Sequence, residues 1–227
     1  MYNDPTGHNQ CDSIAQGSAR DACNKSEATK IYNDMKDESD IAFNFPKDGC
    51  YARAHLMTLR ILEKYGVATG KVWAIVASGL NLLEVNTNGP YGQVNWRYHV
   101  APTITISNSD GTSSTMVIDP SIEDGPVSIE QWTSTMGVDE EGYAANGNSS
   151  ESDDPDPLYW VSVQTTDIGV APRIPDVSTS SLTKESFPGS GYWPGDDPEW
   201  GIDFDAANTM KFYTQLYNRC LETGICQ

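Results

Sequence analysis

No stretch of this sequence approaches the roughly 20 apolar residues that a helix needs to cross a bilayer. The chain opens with polar MYNDPTGHNQ, so no secretory leader is visible. A secreted protein in mature form reads this way, and so does a cytosolic one. Basic residues are scarce: 14 Lys and Arg stand against 32 Asp and Glu, a formal charge of −18. A nucleic-acid binder needs a basic footprint to neutralise phosphates, and this chain has none. The G-x-S-x-G, P-loop, H-E-x-x-H and G-x-G-x-x-G patterns are missing as well. No C-x-x-C or mixed Cys/His spacing suits zinc. The acidic runs at 150–157 and 195–205 lack the EF-hand spacing and read as solvated loops.

Histidine is rare too, with only His8, His55 and His99. The five cysteines are an odd number. Cys11 with Cys23 and Cys220 with Cys226 form two close pairs near the ends, and Cys50 stands alone. Two local disulfides and one free thiol are the expectation, which implies an oxidising compartment. The 227 residues suffice for one domain with a real core.

From Cys50 to Tyr65 the pattern is helical, with Ala54, Met57, Ile61, Leu62 and Tyr65 on one face. Asp48 and Gly49 stand at its start and Gly66 at a C-cap position. Cys50 therefore falls in a first helical turn. A further helix is expected around 27–37, a buried strand over 71–78 and a loop over 81–93. Residues 94–106 alternate as one strand, with Val94, Trp96, Tyr98, Val100, Ile104 and Ile106 facing the core. His99 lies on the opposite, polar face with Arg97. A strand over 115–121 returns after the turn SNSDG, another strand is possible over 158–164, and a helix spans about 205–222.

His55 is about 140° round its helix from Cys50 and is badly placed to share its site. His99 is better placed. Closing the hairpin on residues 107–111 pairs Ile106 with Thr112 and puts Asp119 directly opposite His99, roughly 5 Å away at Cβ. A two-residue turn at Asp110–Gly111 would instead rotate Met116 and Ile118 onto the polar face. The sequence thus offers a thiol at a helix start, an imidazole on a strand and a carboxylate on the next strand. A helix N-terminus and a neighbouring imidazolium both favour a thiolate, and a carboxylate fixes the imidazole tautomer. The pattern alone fits equally a structural cysteine, a satisfied histidine and a strand-end aspartate.

Longer motifs bear on that choice. DGCYARAH (48–55), W-x-YHVA (96–101) and VIDPS (117–121), with Pro126, Val127 and Trp132 downstream, resemble the bacterial protein glutaminases. These are secreted enzymes that deamidate glutamine side chains in intact proteins. The resemblance covers roughly 41–135. It implies an α+β fold with a papain- or transglutaminase-like core, in which an N-terminal helix carrying the nucleophilic cysteine packs on an antiparallel sheet. It implies the triad Cys50, His99 and Asp119, no cofactor or metal, and protein or peptide substrates bearing glutamine. One catalytic domain over 1–227 is expected, with a loop-rich part at 137–204 and a terminal helix. The expected protein is a secreted, extracellular or periplasmic, monomer that engages neither nucleic acid nor membrane. Arg97, Trp96 and Tyr98 are the expected substrate contacts. Transglutaminases and papain-like peptidases share the chemistry, and a secreted binding module with a structural Cys50 is the non-enzymatic alternative.

Overall fold

The computed structural model describes residues 18–67, 69–76, 82–86, 90–138, 161–167 and 206–224. The chain runs through α1 (Ser18–Lys36), α2 (Cys50–Tyr65), β1 (Gly70–Val76), β2 (Leu83–Asn86), β3 (Gln93–Trp96), β4 (Tyr98–Ser107), β5 (Ser113–Val117), α3 (Ile129–Thr135), β6 (Val161–Asp167) and α4 (Ala206–Thr223). The main sheet is antiparallel, in the order β5-β4-β1-β6, and β2 with β3 makes a separate two-stranded sheet. The expected α+β class is the observed one. Cys50 opens α2, which follows the helix expected around 27–37.

Alternation in β1 and β4 feeds two cores, one on each face of the sheet. Trp73, Ile75, Val100, Ile104 and Ile106 meet Ile31 and Met35 of α1, Met57 and Ile61 of α2, and Met210 and Tyr213 of α4. Val72, Ala74, Ala101 and Val117 meet Leu83, Val94 and Trp96 of the small sheet, Trp132 of α3 and Met136 at its C-cap. Burying each such large apolar side chain stabilises by about 1.5–3 kcal/mol. The polar face expected for β4 is therefore covered over most of its length. His99, Ala101 and Thr103 are buried, and only Thr105 and Ser107 are exposed on that side. The sequence pattern did not register the second layer, because β2 lies inside a segment read as loop.

Two further expectations change. Residues 94–106 are not one strand. The chain breaks at Arg97, whose carbonyl accepts the Val76 N–H at 2.9 Å. The break sends Trp96 into the second core while Tyr98 packs against the first. The hairpin closes one residue later than expected, over 108–112. Ile104 faces Met116 and Ser107 faces Ser113. The Asn108 N–H donates to the Thr112 carbonyl at 2.8 Å, and Asp110 accepts from the Thr112 N–H at 2.9 Å. Helix α1 clamps this turn: Asp21 accepts from the Ser109 N–H and hydroxyl, each at 2.6 Å, and Asn24 donates to the Ser107 carbonyl. A shift of two in the paired residues keeps every side chain on its expected face. It moves Asp119 from opposite His99 to a diagonal position beyond the end of β5.

Helix α2 is packed by Ala54, Met57 and Ile61 as its spacing suggests, but Leu62 is 46% exposed. Gly66 takes a left-handed conformation and its N–H closes the last turn on the Leu62 carbonyl at 2.9 Å.

Candidate active site

The thiol begins where the chain enters α2. Gly49 is the N-cap, at φ 82°, and Asp48 accepts its N–H at 2.6 Å. A side chain at 49 is excluded twice over. The left-handed backbone favours glycine, and a Cβ there would lie 2.5 Å from Tyr213 Cε2 of α4. Cys50 follows at 6% exposure and is a free cysteine. Cys23 and Cys220 are each disulfide-bonded, to partners outside the described residues. Cys11 and Cys226 lie outside the described residues, as do His8 and the acidic runs.

His99 enters from the start of β4 and is 1% exposed. Its ring is held between two indoles. Trp96 stacks on one side at 4.4 Å between centroids with planes 9° apart, and Trp132 lies at 5.6 Å and 27°. Nε2 bonds Asp119 Oδ2 at 2.8 Å. Nδ1 is buried with no hydrogen bond of good geometry, and the Cys50 thiol is close enough to act on the ring. Burial alone would push the His99 pKa down. The attraction and hydrogen bond of Asp119, with a smaller contribution from Cys50, reverse this and hold it above its ordinary 6.5.

Asp119 is 2% exposed yet fully bonded. Oδ2 accepts from His99 and from the Trp132 indole N–H at 2.9 Å. Oδ1 accepts from the Ser121 hydroxyl and from the Ser121 N–H at 3.2 Å. Burial favours the neutral acid, but His99 first, then the hydrogen bonds of His99, Ser121 and Trp132, hold the carboxyl below its usual range. The result is a buried carboxylate–imidazolium pair beside a thiol.

The remaining candidates separate. His55 is half-buried on α2, and desolvation followed by the charge of Lys71 lowers its pKa. Arg97 is exposed in the break between β3 and β4. Tyr98 is partly buried and Trp96 only 7% exposed. Sequence reasoning did not assign the partners of Asp119. Ser121 was detectable, because Asp-x-Ser after a strand is the signature of a side-chain-capped turn. Trp132 stands in the family resemblance without a role, since it reaches the site from another element. Among the described residues no group of three or more His, Cys, Asp or Glu is placed to hold a metal, and no helix is long and apolar enough to cross a membrane.

Residues 28–136 match the family described as glutaminase. The NMR structure of protein-glutaminase from Chryseobacterium proteolyticum is similar at 26% identity and a TM-score of 0.50, over 80% of this chain and 94% of that one. A pro-protein-glutaminase crystal structure shares 27% identity at a TM-score of 0.46, over 66% of this chain and 49% of the other. The chain thus spans about half the length of that pro-form. No curated protein matches. Within the glutaminase family match lie Cys50, His99, Asp119 and Trp132, whereas β6 and α4 lie beyond it.

Proposed function

We propose that this chain is a protein glutaminase, a hydrolase that converts protein-bound glutamine to glutamate and ammonia through a cysteinyl thioester. The observation that carries the reading is the buried Asp119–His99 pair set beside the free Cys50 thiol at the start of α2. The family match and the likeness to a protein-glutaminase support it.

The Cys50 thiolate attacks the carboxamide carbon. The oxyanion is met by backbone N–H groups of the first turn of α2, that of Cys50 included, which have no carbonyl partner within the helix. His99 gives its proton to the departing nitrogen, and ammonia leaves. A γ-glutamyl thioester remains. His99, now neutral, takes a proton from water as the water attacks, and the thioester collapses to glutamate and the free thiol side chain. Asp119 keeps the ring oriented and opposes its charge. Arg97, exposed in the break before β4, is the substrate contact, with Tyr98 at the rim, whereas Trp96 is buried against the His99 ring and supports the imidazole instead of the substrate.

The same reading takes the chain as one catalytic domain, acting as a monomer on protein or peptide substrates in an oxidising, extracellular setting. Disulfides Cys11–Cys23 and Cys220–Cys226 fit that setting. Ammonia should be released from a folded protein without cross-linking and without chain cleavage. Glutamine in a protein or blocked peptide should react far faster than asparagine, whose carboxamide sits about one methylene short and is misplaced by more than an ångström. Cross-links would favour acyl transfer to lysine, and new chain termini a peptidase. Equal rates on asparagine would contradict the proposal.

A further inference from the structure

Cys50 and His99 belong to different elements, so something must set their separation. The backbone of 42–48, the segment leading into α2, is bonded from Arg53 of that helix and from Trp96, whose indole stacks on His99. Arg53, one turn beyond Cys50, is 1% exposed. Its Nη1 donates to the carbonyls of Phe45 and Asp48 at 2.8 Å each and to that of Ala42 at 3.4 Å. No carboxylate pairs with it among the described residues, and Nη2 is buried without a partner. Desolvation opposes whatever a buried guanidinium adds to stability, whereas its hydrogen bonds fix the position of the backbone that accepts them. A fourth carbonyl in the segment, that of Pro46, accepts the Trp96 indole N–H at 2.9 Å. That indole is the one stacked on His99. Phe45 between them is fixed from outside by Tyr213 at 4.7 Å and Tyr91 at 5.4 Å.

We infer that Arg53 and Trp96 are positioning residues that together set the Cys50–His99 geometry through the backbone of 42–48. Arg53 ties that backbone to the helix bearing the thiol, and Trp96 ties it to the imidazole. The inference rests on the proposed roles of Cys50 and His99. Neither residue needs to touch substrate, so their loss falls on turnover and not on binding.

The test is steady-state kinetics on a glutamine peptide with Trp96→Phe, Arg53→Lys and Arg53→Met, each checked for native near-UV circular dichroism. Trp96→Phe keeps an aromatic face for His99 but leaves the Pro46 carbonyl unpaired. A misplacement on the order of 1 Å costs about 100-fold, so kcat should fall about 10- to 100-fold. KM should stay within about twofold. Arg53→Lys, which keeps the charge and reaches fewer carbonyls, should retain more turnover than Arg53→Met. If the Arg53 variants do not fold, Trp96→Phe decides alone. Folded variants with wild-type kcat, or with the loss confined to KM, overturn the inference while the functional reading stands. Full activity in Cys50→Ala overturns the functional reading and this inference with it.

Discussion

At the scale of single residues, Asp119 carries the sharpest expectation. Asp119→Asn keeps the shape and the acceptor for Ser121 but removes the charge that opposes His99. The loss of an equivalent carboxylate in another triad lowers turnover about 10⁴-fold, and a loss of orders of magnitude is expected here. Asp110→Asn makes the same chemical change in the exposed turn, where an amide oxygen still accepts from Thr112, and should be nearly silent. Assaying the two variants side by side checks this, and equal effects would detach Asp119 from the site. The pair also fixes a pH signature. Asp119 is depressed below 3.8, so its contribution to stability is complete above that value and fades as pH falls through its folded pKa. His99 is raised above 6.5, so its contribution is complete below 6.5 and fades as pH rises through its folded pKa. The melting-temperature gap between wild type and Asp119→Asn should therefore be widest between pH 3.8 and 6.5 and narrow on both sides. A gap that does not change with pH would mean the pair is not ionised in the fold.

At the scale of elements, the closest constraint is where α4 meets the cap of α2. Gly49→Ala forces a left-handed backbone on an L residue, at about 1–2 kcal/mol, and drives its methyl into the Tyr213 ring. A lower denaturation midpoint with lost activity is expected, partly restored by Tyr213→Ala in the same chain. Unchanged stability would mean α4 does not sit on the cap. Much of this layer could be read in the sequence. The 3.6-residue spacing of Ala54, Met57 and Ile61 showed α2, and Gly66 showed its end. Alternation gave β4, and parity alone put His99 and Asp119 on one face although the hairpin closes a residue late. Parity survives a shift of two, whereas direct opposition does not, which is why the partners were legible and their spacing was not. The break at Arg97 left no trace in the pattern, because Trp96 and Tyr98 are both apolar and both find a core. The sandwich of His99 between Trp96 and Trp132 needed α3 and β3 to be placed in space, and no local period encodes that.

At the scale of the whole molecule, the cysteines report on compartment and site together. Alkylation under denaturing, non-reducing conditions should add a single group, at Cys50, by intact mass. Three or five groups would break the proposed pairing of Cys11 with Cys23 and Cys220 with Cys226. Helix α4, outside the family match, closes the first core through Met210 and Tyr213, so the family segment is completed by residues far along the chain. The central claim is that Cys50 attacks the carboxamide of a glutamine presented by a folded protein. It is tested most directly by ammonia release from such a substrate, comparing wild type with Cys50→Ala at matched concentration and verified fold. Steady release by the wild type and none above background by the variant are expected; release by the variant at the wild-type rate would remove Cys50 as the nucleophile.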